Sequence, residues 1–208
     1  MSISNVLAST AWAKDIVASE TQVQISADEE NSIMQHLLAQ ANSDIWEGEG
    51  QRTYSAKGSD GNEITLTITV EQIDKDQRAW SLENSDYTYG TFSTGNWTQT
   101  IGWTGVLTGT INLTYDFSLA YPVGGTSPLI ITGRGARSSV SSSPAGFTSS
   151  SYANYAGGSS ISQSADSYFT HTNTSNGTTR EYRIGLITQS LNATNSNIRF
   201  TNDLYIWR

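Results

Sequence analysis

The stretch Leu107–Tyr121, LTGTINLTYDFSLAY, decides the fold. Its odd positions are Leu107, Gly109, Ile111, Leu113, Tyr115, Phe117, Leu119 and Tyr121; its even positions are Thr108, Thr110, Asn112, Thr114, Asp116, Ser118 and Ala120. Side chains of an extended chain alternate between two faces, so this segment has one apolar and one polar face. A helix would scatter the same apolar residues around its circumference. A straight run at ~3.4 Å per residue would span roughly 50 Å, longer than most strands, so a bend or a change of partner is expected near Asp116. The stretch reads as the central strand of an all-β fold: a two-layer antiparallel β-sandwich, jelly-roll-like, with a short amphipathic helical region towards the amino terminus.

Towards the amino terminus, Gln51–Lys57 and 62–70 read as a hairpin closed at Asp60-Gly61, because glycine tolerates the positive φ of a tight turn. Ile64, Leu66, Ile68 and Val70 face one side of it, and Thr65, Thr67 and Thr69 the other. Asp60, Asn62 and Glu63 miss the spacing of a calcium loop, so the turn reading stands. Further back, Ser26 and Glu29 form a capping box, and Asp28, Glu29 and Glu30 put negative charge at a helix start. Ile33, Leu37, Leu38, Ala41 and Ile45 follow at helical spacing, which predicts a helix over 27–42. Residues 1–48 form an arm and helix belonging to the same unit as a β domain over 49–208.

Between the hairpin and the central stretch, Tyr87, Tyr89, Phe92, Trp97 and Trp103 punctuate a glycine-rich segment, and 98–104 reads as a strand. Beyond the central stretch, Leu129–Thr132 is short and apolar. Residues 138–165 are dominated by Ser, Gly and Ala; they predict a long flexible surface loop anchored by Phe147, Tyr152 and Tyr155. A strand is expected to begin at Tyr168–Thr170, another over 179–188 after the Asn176-Gly177 turn, and a docked aromatic terminus at Leu204–Trp207.

The composition excludes several classes of function. The 208 residues contain no cysteine, which removes a thiol nucleophile, a cysteine zinc site and a disulfide framework. The net charge is −8, with acidic residues crowded into the first half, and every basic residue beyond position 90 is an arginine. An acidic chain repels phosphates, so no nucleic-acid partner is expected. No apolar run approaches the ~20 residues of a membrane helix, and the start MSISNVLASTAWAKDIVAS lacks a signal-peptide pattern. The chain is expected to be made in the cytoplasm and to reach the outside, if at all, in a particle or by release; membrane insertion is not expected.

The catalytic inventory is thin. His36 and His171 have no local carboxylate spacing for a metal, and no G-x-S-x-G elbow or phosphate-cradling loop occurs. No cofactor, metal or catalytic set is assigned. A jelly-roll glycoside hydrolase would need two carboxylates, drawn from Glu71, Glu83, Asp116 and Glu181, but Arg180 and Arg183 beside Glu181 would lower the pKa that a general acid needs raised. A carbohydrate-binding module would use Tyr87, Tyr89, Trp97 and Trp103 as a stacking platform. A pore-forming toxin would use 138–170, which lacks the apolar alternation a lipid-facing strand requires.

The favoured expectation is a non-enzymatic structural, assembly or attachment protein that self-associates, such as a component of a virion or tail-like particle. Homo-oligomerisation would use Trp12 and Leu37 of the amino-terminal region, the aromatic face, and arginines such as Arg134 and Arg137 meeting the acidic end of a neighbour. A glycan is the alternative partner.

Overall fold

A computed structural model describes residues 24–44, 46, 48–75, 94–120, 130–191 and 197–207. Helix α1 (Ala27–Ser43) leads into five strands, β1 (Gly50–Lys57), β2 (Glu63–Lys75), β3 (Gly95–Gly105), β4 (Gly109–Ala120) and β5 (Ile130–Ser142), which form one antiparallel sheet in that order. Strands β6 (Phe147–Ser159), β7 (Ser162–Asn173), β8 (Thr179–Leu191) and β9 (Asn197–Trp207) form a second, also in chain order. The protein is an all-β sandwich of two meanders. Jelly rolls are built from Greek-key connections; here every strand pairing joins strands consecutive in the chain, and the chain crosses between sheets from β5 to β6.

The alternation that selected the fold is visible in β4. Ile111, Leu113, Tyr115, Phe117 and Leu119 are buried between the sheets, while Thr110, Asn112, Thr114, Asp116 and Ser118 are only half-buried on the outer face. Two details differ from expectation. Leu107 and Thr108 belong to the turn before the strand, which begins at Gly109, where φ is +62°. And β4 lies one strand in from the sheet edge, with β3 at the centre. β4 keeps both partners past Asp116, without the expected change of partner; the irregularity there belongs to β5, where Asp116 pairs with Gly135 but Phe117 with Gly133, so Arg134 bulges out.

The β1–β2 hairpin keeps the expected register. Ile64, Leu66, Ile68 and Val70 are fully buried, each contributing about 1.5–3 kcal/mol of transfer free energy. Asp60 accepts hydrogen bonds from the Asn62 backbone and side-chain amides across the turn.

Helix α1 extends one residue past its expected end. The Ser26 hydroxyl caps it by accepting the Glu29 N–H at 3.1 Å. The reciprocal half of the capping box is replaced: the Glu29 carboxylate instead accepts the Ser59 N–H at 2.6 Å and the Ser59 hydroxyl at 2.7 Å, tying the helix start to the first hairpin. The buried stripe is Glu30, Met34, Leu37, Leu38 and Ala41, with Ile33 at its margin. At the far end, Asp44 pairs with Arg52 and accepts the Tyr54 hydroxyl at 2.5 Å. Burial, and then that bond, push the Tyr54 phenol up to about 12. The helix packs on β1, β2 and β9, and so fills the sandwich where the smaller sheet ends.

The segment 138–165 departs most from the sequence reading. It is not a loop but the end of β5, all of β6 and the start of β7. Several of its inward residues are small: Ser149, Ser151 and Ala153 of β6 and Ala165 of β7. Small side chains let β6 lie close against β5. At Gly133 an added Cβ would sit 2.2 Å from the Tyr155 ring. Tyr155 stacks on Tyr115 at 6.1 Å, and its hydroxyl donates to Gln163 Oε1 at 2.5 Å. Gln163 Nε2 in turn donates to the Ser159 and Ile131 carbonyls. Ladder bonds and fixed polar contacts thus stand in for apolar burial along this edge.

Candidate functional site

Two constellations of side chains stand out, one inside the sandwich and one on its outer surface. The inner one surrounds the Val106–Thr108 turn. Glu30 of α1 is fully buried there; its carboxylate accepts the Leu107 N–H at 2.8 Å and the Thr108 hydroxyl at 3.0 Å. The Trp103 indole N–H donates to Thr108 Oγ1 at 2.8 Å. From the opposite sheet, the Tyr182 hydroxyl donates to the Leu107 carbonyl at 3.3 Å. One turn is therefore held by the helix and by both sheets. Burial raises the Glu30 carboxyl above its ordinary value, against hydrogen bonds that favour the carboxylate. Burial likewise raises Tyr182 and lowers His171, whose ring lies 5.0 Å from that of Tyr182; the Thr108 backbone opposes the His171 shift and the charge of Arg180 adds to it. His171 bonds Ser149 Oγ through Nδ1 at 2.5 Å. These groups are sealed from solvent, and their bonds join structural elements. The cluster is a fastening.

The outer constellation lies on the four-stranded sheet. Because β6 and β7 are joined by a tight turn, Tyr152 falls directly opposite Tyr168, and Tyr168 opposite Arg183 on β8. Even-numbered positions of β6 and β7 and odd-numbered positions of β8 share this outward face. The Tyr152 and Tyr168 rings stack at 4.9 Å with planes 13° apart, and Tyr152 is 62% exposed. Arg183 lies 6.0 Å from the Tyr168 ring and donates through Nε and Nη2 to Asp166 Oδ1 at 3.0 and 2.6 Å. The next row holds Ser150, Thr170 and Glu181 in register. A groove of about 310 Å³ is lined by Tyr152, Tyr168, Phe169, Thr170, Glu181 and Tyr182. It offers one open aromatic face, a hydroxyl and a carboxylate.

The residues singled out from the sequence distribute differently. Trp97 and Trp103 are 1% and 0% exposed, on the inward face of β3; neither presents a ring to a ligand, which corrects their assignment as a stacking platform or interface. Their positions share the inward parity of Ile101, which is why they are core. Leu37 is likewise fully buried within this chain rather than offered to a neighbour. Arg137 forms an ion pair with Asp116, which also accepts the Thr98 hydroxyl at 2.8 Å. Arg134 is exposed on the β5 bulge. Trp12, Tyr87, Tyr89 and Glu83 lie outside the described residues. Of the carboxylates considered for hydrolysis, Asp116 is engaged as above, Glu71 lies on β2 and Glu181 on the outer face of β8. No group of three or more His, Asp or Glu side chains able to hold a metal occurs among the described residues.

The sequence reading puts Tyr168 at a strand start and Tyr152 in a loop, and does not bring the two together. The available signal was the two-residue alternation Gln163, Ala165, Ser167, Phe169, His171, which leaves Tyr168 facing outward. Comparison with protein-family models, with characterised proteins and with solved structures returns no match. Among the described residues no helix is long and apolar enough to cross a membrane. Fold and side-chain chemistry therefore define the class: a helix-filled, two-meander β-sandwich with a tyrosine pair displayed on one outer face.

Proposed function

We propose that the chain is a non-enzymatic attachment or assembly protein, a rigid sandwich that acts by presenting surfaces and self-associates into a larger particle of the virion or tail-like kind. The observation that carries the reading is the Tyr152–Tyr168 stack. A tyrosine ring 62% exposed on a regular strand is an amphipathic contact already ordered before it meets a partner, so little conformational entropy remains to be lost on binding. Five carboxylates among the described residues support the same reading, since they act as fasteners: Glu29 on Ser59, Glu30 on Leu107, Asp44 on Tyr54, Asp116 on Thr98 and Asp166 on Arg183. Among the described strands β1 and β9 each pair on one side only, and those edges would offer ladder groups to a neighbouring copy.

Multi-angle light scattering of the full chain across a range of concentrations tests the self-association. A mass above that of one chain at high concentration is expected. A strict monomer throughout overturns the assembly part and leaves attachment by a single copy.

A further inference from the structure

We infer that the outer face of the four-stranded sheet binds a neutral saccharide, with Tyr152 as the stacking surface and Thr170 and Glu181 as its hydrogen-bonding rim. The inference rests on the attachment reading and names the ligand class of that site.

The face has an unusual balance. Two stacked rings sit among Ser150, Asn154, Ser164, Asp166, Thr170 and Thr172, which all share the outward parity. The core of a protein–protein interface is mostly apolar and depleted of charge. Here the exposed aromatic surface is the one ring of Tyr152, Phe169 and Tyr182 also line the groove, and the other outward side chains of β6 and β7 around the stack donate or accept hydrogen bonds. A sugar ring has the matching character: one face of weakly positive C–H groups that lies on the negative face of an aromatic ring, and an edge of hydroxyls. The stack on Tyr168, with Arg183 and Asp166 behind it, holds the Tyr152 ring parallel to a fixed support. The groove of about 310 Å³ lies at the low end of ligand pockets, which suits a terminal sugar or two rather than a long chain. Glu181 is exposed at the groove and Asp166 is already matched by Arg183, so the local field favours a neutral sugar over a sialylated or sulfated one.

The test is a glycan array probed with the full chain, followed by calorimetric titration of the strongest neutral oligosaccharide into wild type, Tyr152→Ser and Glu181→Gln. Both substitutions fall on exposed positions, and thermal melts confirm that each variant is folded. Binding to neutral glycans, weakened about tenfold or more by Tyr152→Ser and measurably by Glu181→Gln at unchanged melting temperature, is the expected result. Silence across the array, preference for anionic glycans only, or equal affinity in both variants overturns the inference. Light scattering on the same samples separates the two readings. An oligomer with a silent array loses the saccharide and keeps the assembly, whereas an oligomer that falls apart in Tyr152→Ser assigns this face to self-contact instead.

Discussion

The Glu30 carboxylate accepts the backbone N–H of Leu107 at 2.8 Å, across 77 positions of sequence. This contact joins the first turn of α1 to the β3–β4 turn, and Thr108 and Trp103 extend it into the core. Glu30→Ala leaves the Leu107 N–H without its acceptor and opens a void, so a loss of about 1–3 kcal/mol is expected in urea denaturation. Glu30→Gln turns one of the two oxygens into a donor and falls between wild type and alanine. Because burial raises the Glu30 pKa, its contribution is greatest below the unfolded carboxyl value and declines as pH rises through the folded one. Glu30→Gln removes that part of the pH dependence.

Gly105 is the next most sensitive position of this junction. A Cβ there would lie 2.2 Å from Glu30 Oε1 and 2.5 Å from Thr108 Oγ1. Gly105→Ala must push the carboxylate away from the turn, and is expected to cost about as much as removing it, 1–3 kcal/mol. In the background of Glu30→Ala the closest clash is gone and the one with Thr108 Oγ1 remains, so the double variant should be less destabilised than the sum of the singles. An additive cycle would show that the two residues do not share this space.

His171 sets a different pH window. Burial depresses its pKa below the ordinary value of 6.5, so the unfolded chain takes up a proton before the folded one does. Stability from this residue is fully present above 6.5 and is lost as pH falls from there through the folded value. His171→Gln should flatten the denaturation midpoint across that window. A wild-type midpoint that is already flat there would contradict the buried neutral imidazole.

Leu113 and Thr114 are neighbours in chain and opposites in environment. Leu113 is fully buried, while Thr114 faces outward with its hydroxyl 3.2 Å from that of Thr100. Leu113→Ala should cost about 2–5 kcal/mol, and Thr114→Ala under about 1 kcal/mol. Comparable losses for the two in equilibrium unfolding would reverse the faces of β4.

That contrast also explains how much of the fold is legible in the sequence. Where inward residues were large and apolar and outward ones polar, as in Ile64–Val70 and Ile111–Leu119, both strand and face were legible. The alternation in β6 and β7 is there too, but Ser149, Ser151, Ala153 and Ser167 differ little from their outward neighbours in hydrophobicity. Their strand character comes from ladder partners distant in sequence, which no local pattern reports. The site was missed for the same reason. Tyr152 and Tyr168 meet only once the hairpin register is known, whereas Trp97 and Trp103, chosen for their aromaticity, sit at inward positions of β3. Met34 and Glu30 complete the buried helix stripe, and neither is among the positions named from the sequence, Ile33, Leu37, Leu38, Ala41 and Ile45.

The central claim is that the space between the sheets is closed core and that the working surface is the outer face carrying Tyr152. Tyrosine-selective labelling of the native protein, read residue by residue by mass spectrometry, tests it most directly. Among the described tyrosines Tyr152, 62% exposed, should react first, while Tyr115 and Tyr182 should stay protected until the protein unfolds. Labelling of Tyr115 at the rate of Tyr152 in the folded protein would contradict the account.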